Sequence, residues 1–193
     1  MKSAFLRGGA ILATAALAAC STMGPRTPSG PAPGVEVGRF HLGDPIARAQ
    51  IAIEPFDRAD ANRPEFPIYV AAVSRELVRL GWTVVPTTRQ SEQIALIDVE
   101  QGSREAIAAL STNRVGRGIT GAPPPGSAAN VTATLLEVGI RRRSDGTVFW
   151  EGRAVGEART GSAEATATVA VGRLASALFR DFPGDSGRII RLK

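Results

Sequence analysis

The 193-residue sequence predicts an α+β domain: a mainly antiparallel sheet with two helices packed on one face, preceded by a signal peptide and a flexible tether. Three observations carry this expectation. Two segments, at about residues 66–80 and 162–181, place apolar side chains at helical spacings of three and four. Two long β-rich segments flank Ser144-Asp145-Gly146-Thr147, and Asp-Gly is a preferred pair for a two-residue hairpin turn. The composition, 44% hydrophobic and 21% charged, is that of a globular protein of one domain.

Residues 1–19 have the form of a targeting segment. Lys2 and Arg7 precede Ala10 to Ala19, an apolar stretch too short to cross a hydrocarbon core of about 30 Å. The stretch ends in Leu17-Ala18-Ala19-Cys20, and Cys20 is the only cysteine. This resembles the lipobox of bacterial lipoproteins. The resemblance implies that the Cys20 thiol receives a diacylglyceryl group, that the preceding peptide is removed, and that the new N-terminus is acylated. An ordinary signal peptide with a chance cysteine, or a short hydrophobic anchor, is the plainer alternative. Two or more acyl chains anchor stably where one is marginal, at ~0.8 kcal/mol per buried CH₂. Membrane lipid is therefore the expected first partner, on the periplasmic side of a bacterial envelope, and Ser21 rather than Asp after the cysteine leans towards the outer membrane. Residues 20–34 carry Pro25, Pro28, Pro31 and Pro33 with Gly24, Gly30 and Gly34, a composition that buries nothing and reads as an extended tether.

The single domain is expected over residues 35–193. Residues 35–42 and 50–56 read as strands, the second alternating Ile51 and Ile53 with Ala52 and Glu54. Residues 57–64 form a polar turn. Phe66, Tyr69, Val70, Val73, Leu77 and Leu80 then fall on one helical stripe, with Arg75, Glu76 and Arg79 off it. Pro64 or Pro67 suits the first turn of this helix and Gly81 its C′ position. Residues 82–85 and 94–100 are strands. In the second, Ile94, Leu96 and Asp98 share one face, and Ala95, Ile97 and Val99 the other.

The hairpin joins residues 130–143 to residues 147–158. Pairing Ser144 with Thr147 sets Arg141 opposite Trp150, Gly139 opposite Gly152 and Glu137 opposite Ala154, a face of small residues that a helix could approach. The other face mixes Glu151, Arg153 and Glu157 with Leu136, Val138, Ile140 and Val155, which predicts a covering element or partner. The last helix carries Ala163, Ala167, Val171, Leu174, Leu178 and Phe182 on its stripe and stops at Pro183-Gly184. Residues 188–192 add an edge strand. Residues 111–128, with Pro123-Pro124-Pro125 and Gly116, Gly118, Gly121 and Gly126, form a loop that is either functional or disordered.

Two motifs promise chemistry their surroundings do not support. Gly116-Arg117-Gly118-Ile119-Thr120-Gly121 matches GxGxxG, but three prolines follow where a helix must open on the pyrophosphate. Gly184-Asp185-Ser186-Gly187 matches the nucleophile motif of chymotrypsin-like proteases, but that triad needs a two-barrel fold and a serine far from the C-terminus. His41, the only histidine, lies between Phe40 and Leu42 as an ordinary strand residue. Glu54, Asp57 and Asp60 lie beside Arg58 and Arg63 and read as neutralised surface charge. One cysteine excludes an internal disulfide framework and a Cys-rich zinc site, and one histidine excludes an HExxH centre. No cofactor or metal is expected. Arg141-Arg142-Arg143 is the densest basic run and, with Trp150, supplies the candidate ligand or partner contacts. In the periplasm its partners would be envelope anions rather than nucleic acid. The plainer reading is a solvated hairpin end with Arg141 stacked on Trp150.

With these residues in place, the chain resembles bacterial lipoproteins carrying domain of unknown function 4136. The likeness spans most of residues 35–185: a strand leading to the helix from Tyr69 to Leu80 closed by Gly81, a Gly-rich loop, a long hairpin bearing Phe149-Trp150-Glu151-Gly152, and a final helix ending in Phe182-Pro183. Leu136-Glu137-Val138-Gly139 departs from the acidic ending usual in the first hairpin strand. The resemblance carries no catalytic residue. The sequence as a whole leads us to expect a lipid-anchored periplasmic domain that works by binding: an accessory or scaffolding component of an envelope complex, or a binder of lipid or another anionic envelope ligand through the hairpin tip and the Gly-rich loop. Loss of residues 1–19 takes Lys2 and Arg7 and lowers the formal charge from +5 to +3, so any polyanion argument rests on local patches.

Overall fold

A computed structural model describes residues 34–43, 45–86, 91–115 and 130–193, with the backbone alone for residues 111–115. Seven strands, β1 (Val35–His41), β2 (Gln50–Pro55), β3 (Thr83–Val85), β4 (Gln93–Gly102), β5 (Val131–Arg142), β6 (Val148–Arg159) and β7 (Ile189–Leu192), join three helices, α1 (Phe66–Arg79), α2 (Arg104–Val115) and α3 (Ala167–Leu178). The strands form one mixed sheet in the order β3-β2-β4-β5-β6-β1-β7. The fold is α+β. β2 runs parallel to β3 and β4, and every other pair is antiparallel. Parallel neighbours need a crossover, and α1 supplies it between β2 and β3. Gly81, at φ +100, closes α1 in the left-handed conformation a C′ glycine adopts freely.

The core lies between the sheet and the pair α1 and α3. Val37, Ala95, Ile97, Val99, Leu136, Val138, Ile140, Trp150 and Ala154 face Tyr69, Val73 and Leu77 of α1 and Val171, Leu174 and Leu178 of α3. Glu76 is the exception to the expected stripe: it is 5% exposed. Its Oε1 accepts from Ser176 Oγ at 2.7 Å, its Oε2 accepts from Arg79 Nε at 2.8 Å, and Arg79 Nη2 donates to Phe179 O at 3.1 Å. A carboxylate is tolerated at this helix–helix seam because both oxygens have donors. The final helix begins with a 3₁₀ turn at Ala163–Ala165 and ends at Leu178, short of the expected Asp181.

The hairpin register differs from the expected one by a residue. Ile140, not Arg141, pairs with Trp150; Val138 pairs with Gly152 and Leu136 with Ala154. Asp145 does not adopt the positive φ a type I′ turn requires; only Gly146 does, at +72. The Asp145 carboxylate instead accepts the Thr147 N–H at 2.9 Å, and residues 143–146 make a four-residue turn closed by Arg142 N–H to Thr147 O at 2.7 Å. A bulge between Ile140 and Arg141 absorbs Phe149. A one-residue shift exchanges the partners of every side chain. Leu136, Val138 and Ile140 thereby join Trp150, Gly152 and Ala154 in the core, while Glu137, Glu151, Arg153 and Glu157 occupy the opposite face with Leu135 and Val155.

α2 has no counterpart in the sequence expectation, which assigned no element to residues 101–110 and a loop to residues 111–128. Ser103 Oγ accepts the Ala106 N–H at 3.2 Å and caps the helix. Ile107 packs on Ala133, Leu135 and Val155, covering part of the second sheet face, and Arg104 pairs with Glu157. Helices therefore lie on both faces, two on one and the third on the other. Residues 116–129, including the GxGxxG match, lie outside the described residues, as do the signal peptide, Cys20 and the tether up to residue 33.

Trp150 explains the Trp-x-Gly element. Its indole folds over Gly152 and stacks on Phe179 at 5.2 Å between ring centroids. A Cβ on residue 152 would meet the indole and sit 2.8 Å from Leu178 Cδ1. Gly152→Ala is expected to cost about 1–3 kcal/mol by overpacking, read as a lower denaturant midpoint at unchanged slope.

Candidate functional site

Consecutive strand residues point to opposite faces, so the arginine run does not make one patch. The Arg141 guanidinium stands 5.8 Å from the Phe56 ring centroid, beside Gly139, rather than on Trp150. Arg142 turns the other way, 5.0 Å from the Phe149 centroid, with Nη1 donating to Asp145 Oδ2 at 2.8 Å. Arg143 is exposed in the turn, where its N–H donates to Glu92 O at 2.8 Å. Trp150 is fully buried, its Nε1 donating to Pro183 O at 3.0 Å, and it offers no contact surface.

Of the four expected contact residues, Arg142 lines a cleft among the described residues. A cleft of about 520 Å³ lies at the hairpin-tip end of the sheet, lined by Pro45, Ile46, Ala47, Ala49, Gln50, Glu92, Gln93, Arg142 and Phe149. Its walls are stitched by two side chains. Gln93 Nε2 donates to Ala47 O at 2.8 Å while its Oε1 accepts from Trp82 Nε1 at 2.8 Å. Ser91 Oγ donates to Gln50 O at 2.5 Å and accepts the Gln93 N–H at 3.1 Å. The segment between β1 and β2 is thus tied to the start of β4. Pro45, Ile46, Ala47, Ala49 and Phe149 make the cleft largely apolar, and its charged groups, Arg142 and Glu92, both reach the turn at residues 143–146.

Both carboxylates at this tip are held in the ionised form. Hydrogen bonds from the Ser144 hydroxyl and N–H, both to Oε1, hold Glu92 below the usual carboxylate range. The Thr147 N–H, the Thr147 hydroxyl and Arg142 bring Asp145 from 3.8 down to about 2.

The protease-like motif is explained in full by hydrogen bonding. Ser186 and His41 do meet, but the Ser186 Oγ bonds the His41 main chain, accepting its N–H at 3.1 Å and donating to its carbonyl at 3.3 Å. The imidazole Nε2 lies 2.9 Å from Gly184 O, and its Nδ1 accepts the Gly43 N–H at 3.1 Å, which fixes the proton on Nε2. Nε2 holds the loop before β7 against the end of β1, and Nδ1 fixes the turn that leaves β1 at Gly43. Among the described residues, no group of three His, Cys, Asp or Glu side chains could hold a metal ion, and no helix is long and apolar enough to cross a membrane.

No known protein family matches the sequence. The chain is 27% identical over 212 residues to an uncharacterized protein of Zymomonas mobilis, covering 82% of this chain and 80% of that one. Among solved structures it is similar to a PDZ domain protein from Parabacteroides distasonis, with a TM-score of 0.48 and 13% identity over 83% of this chain. The match spans 39% of that longer protein. It is also similar to PelC from Paraburkholderia phytofirmans, solved as a dodecamer, with a TM-score of 0.41 and 12% identity over 73% of this chain and 92% of that one.

Two outcomes follow from this geometry. Because the Asp145 pKa is depressed on folding, its carboxylate supports the turn fully above about 3.8, and that support is lost as pH falls through about 2. A carboxyl-carbon NMR titration is expected to place the Asp145 midpoint near 2, and Asp145→Ala, which removes the acceptor, to free the Thr147 amide to exchange at neutral pH. His41→Ala removes the Nε2 tie to the loop before β7 and leaves the main-chain bonds to Ser186 in place. It is expected to speed amide exchange in β7 several-fold while leaving β5 protected, since each net hydrogen bond contributes about 1 kcal/mol.

Proposed function

We propose that this protein is a periplasmic lipoprotein, anchored in a bacterial membrane through acylated Cys20, whose folded domain is a non-catalytic accessory or scaffolding component of an envelope complex. The observation that carries the reading is the N-terminal sequence: Lys2 and Arg7, a ten-residue apolar stretch, Leu17-Ala18-Ala19-Cys20, and a Pro/Gly-rich segment up to the first strand. The domain gives it secondary support. The polar side chains its sequence flags for chemistry, His41 and Ser186 above all, are engaged in hydrogen bonds that hold elements together. A second reading, binding of lipid or another anionic envelope ligand, draws on Arg142 beside the apolar cleft rather than on the arginine run as a unit.

In-cell crosslinking of a tagged, acylated chain is expected to recover a small, reproducible set of envelope proteins. Cys20→Ser is expected to abolish incorporation of labelled palmitate, release the chain from the membrane fraction and weaken that recovery. Retention of the label by the Cys20→Ser chain, or a recovery indistinguishable from that of an unrelated periplasmic bait, would count against the reading.

A further inference from the structure

We infer that the cleft beside the hairpin tip is a binding site for a single-tailed amphiphile with a zwitterionic head, an anionic oxygen on Arg142 and a cationic nitrogen on Glu92. This goes beyond the scaffold reading and does not depend on acylation of Cys20. Four observations converge on it. The cleft, about 520 Å³, falls in the size range of small-molecule sites and is lined mainly by Pro45, Ile46, Ala47, Ala49 and Phe149, which suits an apolar body. Among the described residues its two charged lining groups have opposite sign and share the tip end, so neither a purely anionic nor a purely cationic head complements both.

Each charged group also keeps free bonding capacity. Arg142 uses Nη1 for Asp145, and that pair is exposed on both sides, 41% and 50%, so an incoming anion meets a screened and easily shared partner. Glu92 receives both Ser144 bonds on Oε1 alone. Finally, the walls are already fixed: Gln93 ties Ala47 to Trp82, and Ser91 ties Gln50 to Gln93. A ligand therefore has little protein to order on entry.

Trp82 gives the readout. Its indole N–H bonds the cleft-lining Gln93, whereas the only other indole, Trp150, bonds Pro183. The full chain, held in maltoside micelles and labelled with ¹⁵N, would be titrated with octylphosphocholine, octyl phosphate, octyltrimethylammonium and octanol. The Trp82 indole signal is expected to move more than that of Trp150, with octylphosphocholine binding about tenfold more tightly than the other three, as 1.4 kcal/mol of charge complementarity would give. Glu92→Gln is expected to bring octyl phosphate level with the zwitterion. Arg142→Gln should reduce the zwitterion to the level of octyltrimethylammonium, and Arg142→Lys should restore most of the binding. The unmoved Trp150 signal certifies the fold in each variant. Equal affinity for all four probes, an unresponsive Trp82 signal, or a preference that survives both charge substitutions would overturn the inference. Those results would leave the Cys20 experiments unaffected.

Discussion

The Arg39 side chain is the tie on which the arrangement of the domain depends. It projects from β1 into the core face, is 3% exposed, and donates from Nε to Leu178 O at 2.8 Å and from Nη2 to Ala177 O at 3.0 Å. Those carbonyls belong to the last turn of α3, which has no intrahelical donors left and carries the negative end of the helix dipole. Burial lowers the guanidinium pKa, with Asp181 and Asp185 opposing the shift. A buried cation is costly unless satisfied, and an open helix end is costly unless capped; this contact resolves both. It also fixes where the chain goes next. A Cβ at residue 184 would lie 2.6 Å from Arg39 Cδ, and Gly184 takes φ +76, so glycine answers two demands at once.

With α3 pinned at that end, the aromatic packing follows. Phe179 is delivered onto Trp150, and Phe182 is set between Trp82 and Trp150 at centroid distances of 5.3 and 5.2 Å. Trp82 then hands its indole N–H to Gln93, whose amide holds the wall of the cleft. A chain of contacts therefore runs from the capped helix, through two tryptophans, to the cleft at the hairpin tip. Sites built on such a fixed framework hold their geometry without ordering at the moment of binding.

The sequence was legible where the signal was local and periodic. α1, with Tyr69, Val73 and Leu77 buried and Gly81 beyond its end, follows from spacing alone, and so do β4, the two hairpin strands and the edge strand β7. It misled where a local preference lost to side-chain bonding: Asp145-Gly146 favours a two-residue turn, but the Asp145 carboxylate supports a longer one, and that single residue of register moved Leu136, Val138 and Ile140 into the core. α2 escaped notice because, among its described side chains, Ile107 and Leu110 alone mark the packed apolar side, and the Ser103 cap is a weak cue without a stronger stripe behind it. The buried Glu76 looked like surface because its partner, Ser176, lies a hundred residues away.

The cleft could not have been read from the sequence at all. Residues 45–50, 92–93, 142 and 149 are individually unremarkable, and only the sheet order brings β2, β4 and the hairpin tip together. The motifs that did stand out had the opposite fate. His41 and Ser186 form a real contact, yet every polar atom in it serves to hold the approach to β7 on β1. The arginine run likewise dissolves into three environments, because a strand sends alternate residues to opposite faces. Adjacency along the chain is therefore a poor guide to function on a sheet, where the neighbours that matter are set by register. Arg142 gains its distinction from the company of Phe149 and Glu92, not from that of Arg141 and Arg143.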